Sequence, residues 1–156
     1  MKPYADTNFL VRLYLDVEET ERAVRLVQKE DSRKTMLPVG WLHRVEMTNA
    51  LQSYVFLSRQ GRGRRISPEA AQAAHASFRS DLQQTRLLAP ADLTVAELEG
   101  QFEELALRHT ARYGFRTYDL LHVASALLLG CDTFWSFDLK ALSLARLEGL
   151  SSLKQT

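Results

Sequence analysis

Cysteine is nearly absent from the 156-residue chain. The one thiol, Cys131, excludes an internal disulfide and cannot by itself build a zinc site, which takes about four nitrogen or sulfur ligands. An excess of charge is also missing: 20 basic against 19 acidic side chains leave +1, so any pull on nucleic acid must come from local patches. Long apolar runs are lacking too. Leu120 to Leu129 is too short, and too interrupted by Ser125, to span a bilayer, and Met1 to Ala5 is too short for a secretory signal. A cytoplasmic protein with no membrane contact is therefore expected. Gly61-Arg62-Gly63 lacks both the third glycine and the Gly-Lys-Ser/Thr ending of a phosphate loop, and nothing matches a Gly-x-Ser-x-Gly nucleophile elbow. The four histidines show no metal or triad spacing.

What remains is ample apolar mass. With 46% hydrophobic residues, no repeat and no long linker, residues 1–156 are expected to form one globular domain. Pro3-Tyr4-Ala5 reads as a strand, followed by Asp6-Thr7-Asn8 as a cap for a helix carrying Phe9, Leu10, Leu13 and Tyr14. Glu18 to Glu30 reads as an amphipathic helix and Thr35 to Val39 as a strand. From Trp41 to about Arg59 apolar residues wrap most of a long helix, which predicts burial on more than one side. The basic loop Gln60 to Arg65 then leads to a helix capped by Ser67-Pro68 and running to about Thr85.

The second half repeats the pattern. Arg86 to Ala89 predicts a strand ended by Pro90, and Thr94 to Tyr113 a helix closed by Gly114. Thr117 is the expected cap of an apolar helix ending at Gly130, Thr133 to Phe137 the next strand, and Asp138 the start of a last helix. Strands alternating with helices predict an α/β fold: three layers, α/β/α, around a central parallel sheet.

In such sheets ligands bind beyond the carboxyl ends of the strands. Asp6 and Asp138 each end a predicted strand and begin a helix, and Asp119 opens a helix expected to start at the same edge. Glu46 lies inside the long helix between Val45 and Met47, where an ionised carboxylate is costly without a compensating cation. Carboxylates forced together repel one another and are relieved by a divalent ion that takes hard oxygen ligands, which fits magnesium or manganese rather than zinc. That chemistry suits phosphodiester hydrolysis, and four carboxylates can support one ion or two.

Four segments carry a resemblance: Asp6-Thr7-Asn8-Phe9-Leu10; Val45-Glu46-Met47-Thr48-Asn49-Ala50-Leu51; the run from Arg116-Thr117-Tyr118-Asp119 through Ala126; and Phe134-Trp135-Ser136-Phe137-Asp138. In this order and spacing the sequence resembles PIN-domain nucleases over essentially its whole length, and VapC-type toxins in particular. The resemblance implies a divalent-metal endoribonuclease with Asp6, Glu46, Asp119 and Asp138 in the acidic positions. It further implies supporting roles for Asn8 and Ser136, a homodimer, and a small cognate antitoxin as partner.

Each residue also has an ordinary reading. Asp6 and Asp138 serve well as helix caps, and Asp119 suits the first turn, where the macrodipole favours negative charge. The ordered set, rather than any one residue, points to a site. His122, three residues after Asp119, reads either as a contact to the acidic cluster or substrate or, the favoured reading, as a structural histidine; Arg116 reads as either a phosphate ligand or a counter-charge to the carboxylates, and Cys131, Trp41, Trp135 and most aromatics as core. Arg62, Arg64 and Arg65 offer charge to an RNA backbone or form a solvated loop. The competing function is a non-catalytic RNA-binding or partner-binding module of the same fold. A ribonuclease-H-like site is disfavoured because no Asp-x-Glu pair accompanies Asp6, and a phosphorelay receiver is weaker still.

Overall fold

The structure is a computed structural model that describes residues 1–31 and 35–152. In chain order the elements are β1 (Pro3–Ala5), α1 (Thr7–Tyr14), α2 (Thr20–Asp31), β2 (Leu37–Val39), α3 (Trp41–Arg59) and α4 (Pro68–Gln84). Then follow β3 (Leu88–Pro90), α5 (Val95–Tyr113), α6 (Thr117–Leu128), β4 (Thr133–Trp135), α7 (Leu139–Leu147) and β5 (Ser151–Ser152). They form two compact units: residues 1–6 with the described residues from Asp92 onward, and Thr7–Ala91.

The first unit holds a parallel sheet in the order β1-β4-β5. Strands β1 and β4 are buried at every position, the pattern of parallel strands covered on both faces. Their register pairs Tyr4 with Phe134, and the two fully buried rings stack at 5.6 Å. The Asp6 N–H extends the ladder to the Trp135 carbonyl at 3.1 Å. Around this sheet Leu120, Val123 and Ala124 of α6 join Leu98 and Leu105 of α5 and Leu142 and Leu144 of α7 in one core.

The second unit pairs β2 with β3 in parallel, Leu37 opposite Leu88 and Val39 opposite Pro90. Helix α3 packs on α1 and α4, burying Met47, Leu51 and Val55 with Phe9, Leu10 and Phe78. Ala71 and Ala74 of α4 are buried in this unit, whereas Ala70, Ala73 and Ala76 of the same helix face solvent.

Several boundaries and burials differ from expectation. Helix α3 buries only part of its circumference: Trp41, Val45 and Phe56 are exposed, because α1 and α4 leave one side uncovered within this unit. Trp135 does lie in the core, as expected, whereas Trp41 does not. Strand β4 stops at Trp135 rather than Phe137, since the Ser136 hydroxyl accepts the Asp138 N–H at 2.8 Å and turns the backbone. Arg116, not Thr117, is the residue preceding the first turn of α6, and the Asp119 side chain reaches back to its N–H. Strand β5 was not foreseen: two serines on a sheet edge carry no apolar alternation.

Candidate active site

In the first unit Asp6 follows β1 and Ser136 follows β4, one step beyond the last register pair, Ala5 with Trp135. Asp6 and the start of α7 therefore leave the same carboxyl edge of two neighbouring parallel strands. Asp138 caps α7, its Oδ1 accepting the N–H groups of Lys140 (2.8 Å) and Ala141 (3.4 Å). The cap role read from the sequence is thus real.

Arg116 ties Asp138 to Asp119. Its Nη2 donates to Asp138 Oδ2 at 2.6 Å and to Asp119 Oδ1 at 3.1 Å, while Nε donates to Asp119 Oδ2 at 3.0 Å. Asp119 is buried, whereas the Arg116 side chain that bonds it is 62% exposed, so the cation lies on the solvent side of the carboxylate. The hydrogen bond to Asp119, and then that to Asp138, hold the guanidinium still more firmly protonated than an ordinary arginine. At Asp138 partial burial pushes the carboxyl pKa upward, but the Arg116 bond and the two backbone N–H groups outweigh it and leave it below the usual range. Of the two roles open to Arg116, counter-charge is the one this geometry displays.

His122 is buried, its Nδ1 lying 2.8 Å from the Tyr4 hydroxyl, which is the structural role expected for it. Cys131 is buried as expected, and burial pushes its thiol up to about 11.

In the second unit Glu46 is half-buried rather than enclosed, because its neighbours Val45 and Asn49 face solvent. Its Oε2 accepts the Thr7 hydroxyl at 2.8 Å. Thr7 is a further candidate site residue, and its place inside the Asp6-Thr7-Asn8 motif is the sequence signal for it. Asn8 lies half-buried in α1, and its carbonyl accepts from Arg12. The basic loop is exposed and starts from Gly61, whose φ of 68° suits the reversal after α3. Arg64 is already engaged, 2.7 Å from Asp16.

Among the described residues no group of three or more His, Cys, Asp or Glu side chains is gathered so as to hold a metal ion. The pair with the right chemistry is Asp119 and Asp138. Both offer hard oxygens, and they stand close enough to share one cationic group, which fits a divalent ion of the magnesium or manganese kind.

The PIN domain family profile matches residues 4–147. The chain belongs to the PIN domain family. No curated protein sequence matches it. Among solved structures this PIN domain is similar to the Mycobacterium tuberculosis VapC20 toxin, at 21% identity and a TM-score of 0.59, covering 91% of this chain and 94% of that one. It is similar to VapBC2 of Rickettsia felis at 13% identity and a TM-score of 0.63, covering 98% of both chains. FitAcB of Neisseria gonorrhoeae gives 16% and 0.54, covering 97% of this chain and 96% of that one. The shared PIN fold of helices and parallel strands is the α/β class read from the sequence, and every strand pairing among the described residues is parallel.

Proposed function

We propose that this PIN domain is a metal-dependent endoribonuclease, the toxin of a toxin–antitoxin pair, with Asp6, Glu46, Asp119 and Asp138 as its acidic quartet. The observation that carries this reading is the family match across residues 4–147, in a chain whose Asp119 and Asp138 already converge on one cation. The similarity to VapC20, described as a toxin that cleaves the sarcin–ricin loop, supports RNA as substrate, and that to VapBC2 supports a cognate antitoxin as partner.

In this reading Asp6, Asp119 and Asp138, joined by Glu46, hold one or two Mg²⁺ or Mn²⁺ ions. When bound there, such an ion would supply an activated water and charge neutralisation at the phosphate. The chain's own residues supply the rest. Ser136 fixes the backbone that presents Asp138, Thr7 orients the Glu46 carboxylate, and Arg116 offers a guanidinium to either the carboxylates or a phosphate. Arg62 and Arg65 present exposed charge to the RNA backbone, with Arg64 partly committed to Asp16. Asn8 supports the Asp6 end of the site.

A homodimer is supported by the exposed stripe Trp41, Val45 and Phe56, which recurs on one side of α3. Among the described residues no helix is long and apolar enough to cross a membrane, and the proposed setting is the cytoplasm, where RNA is at hand.

The test is cleavage of structured and single-stranded RNAs by the wild type and by Glu46→Gln and Asp119→Asn, with Mg²⁺, Mn²⁺ or chelator. Cleavage by the wild type alone, abolished by chelator, is expected. Equal cleavage by all three proteins overturns the site. Tight RNA binding without cleavage by any of them replaces the nuclease with a binding module.

A further inference from the structure

Within the second unit a cleft of about 480 Å³ opens between α3 and α4 beside the end of β3, and none of the acidic quartet lines it. Its polar wall is cationic. Arg44 of α3 and Arg79 of α4 both face the cleft, both are exposed, and neither enters an ion pair among the described residues. No carboxylate lines the space. Two unpaired guanidiniums with no acid nearby form a site for an anion, and their planar donor forks match phosphate oxygens in particular.

The rest of the lining is suited to a flat, amphipathic body. Its accessible apolar surface is that of Leu82 and Pro90, which lie over the buried Phe78. Thr48 supplies a tautomer argument: its hydroxyl donates to the Arg44 carbonyl at 3.0 Å, so the 3.2 Å contact with His75 Nε2 needs the proton on that nitrogen. In its neutral form His75 then keeps Nδ1 as an acceptor, while Gln83 brings an amide with both donor and acceptor. A phosphate, an apolar face and a hydrogen-bonding edge are the three parts of a nucleotide.

We infer that this cleft binds one nucleotide of the RNA strand away from the scissile phosphate, with Arg44 and Arg79 on its phosphate and His75 and Gln83 on its base edge. The inference rests on the ribonuclease reading and extends it to a substrate subsite. RNA rather than an acidic peptide is favoured by continuity. Glu46 is two residues from Arg44 on α3 and bonds to Thr7 of α1, whereas Arg44 and Thr48 face α4. A strand leaving Glu46 has only the width of one helix to cross, about 10 Å, before it meets the cleft.

The probe is a short fluorescein-labelled single-stranded RNA of mixed sequence, titrated into full-length Asp119→Asn protein, so that binding is read without cleavage. Adding Arg44→Gln and Arg79→Gln is expected to weaken binding about tenfold or more. It should also flatten the slope of log Kd against log salt by about 0.7, the share of one neutralised phosphate on a single strand. Lysine at both positions should restore the slope but only part of the affinity, since charge returns without the fork. Both arginines are exposed, and unchanged melting temperatures will confirm intact folds. An unchanged Kd and slope overturns the subsite and leaves the nuclease reading intact. Adenosine monophosphate provides a second route: shifts at His75 and Gln83 side-chain resonances support the subsite, and no shift at saturating ligand overturns it. A glutamate-rich peptide that shifts those resonances where the nucleotide does not makes the cleft a protein-docking site and also overturns it. If the wild type cleaves no RNA yet binds it through this cleft, the nuclease reading falls and the subsite stands.

Discussion

Arg116 and Asp138, 22 residues apart, meet at 2.6 Å, and through the same guanidinium Asp138 is joined to the buried Asp119. Two of the carboxylates that the proposed site assigns to a divalent ion thus already share one positive charge supplied by the chain itself. A bound ion must share or displace that guanidinium.

The competition has a measurable consequence. Arg116→Gln leaves Asp119 and Asp138 facing each other without their cation, so in chelator the variant should be less stable than wild type by about 1 kcal/mol, a figure kept small because the arginine is mostly exposed. Mn²⁺ should then raise the melting temperature of the variant more than that of the wild type. Identical Mn²⁺-induced shifts in the two proteins would show that arginine and metal do not compete.

A second arginine–carboxylate pair, between α5 and the residue that ends α7, contributes to the acid limb of stability. Glu148 accepts from both sides: Arg108 Nη1 at 2.9 Å to each oxygen and His109 Nε2 at 2.5 Å. Burial acts to raise its pKa, but the bonds from His109 and Arg108 prevail and lower it. A carboxyl lowered in the fold contributes its full stabilisation above its unfolded value, about 4.3, and loses it as pH falls through the folded value. Glu148→Gln should therefore melt below wild type at neutral pH, and the gap should close as the pH drops below about 4. A gap that stays constant down to the acid transition would refute the linkage.

The alkaline limb has a counterpart in Tyr14, whose hydroxyl donates to Asp81 at 3.0 Å. Burial first, and the Asp81 charge second, raise its phenol pKa. The sign is now opposite: a raised acid stabilises below its unfolded value, about 10, and that contribution is lost as pH rises beyond it. Tyr14→Phe should cost about 1 to 2 kcal/mol at neutral pH through the lost hydrogen bond. Denaturant titrations should show the difference shrinking above about pH 10. A difference that grows there would contradict the assignment.

Where these relationships were readable in the sequence, the reason is local. Thr94 and Glu97 form the reciprocal cap at the start of α5, and Gly114 at φ 64° ends it, both recognisable from residue type and spacing. The Arg116–Asp119 contact falls within one helical turn and was open to the same reasoning. The Arg116–Asp138 contact was not, since no local rule links residues on two different helices. Burial was the other failure. The apolar residues of α3 promised enclosure, yet Val45 and Phe56 face solvent, because periodicity reports which faces are oily and not which are covered. Glu46, beside the exposed Val45, is half-buried for the same reason.

Ser136 offers the sharpest separation of support from chemistry. Its hydroxyl, almost fully buried, accepts the Asp138 N–H at 2.8 Å and fixes the backbone from which the Asp138 side chain projects. Ser136→Ala leaves that N–H without its acceptor, at a cost of about 1 to 3 kcal/mol. If Ser136 acts only on stability, RNA cleavage measured well below the melting temperature will equal that of wild type. If it positions Asp138, kcat should fall about tenfold while KM holds, since a small misplacement of a reacting group costs rate more than binding. Ser136→Thr, which keeps an acceptor oxygen at the same atom, should recover much of the loss. Failure of threonine to recover activity, in a protein whose melting temperature is restored, would remove Ser136 from the positioning of Asp138.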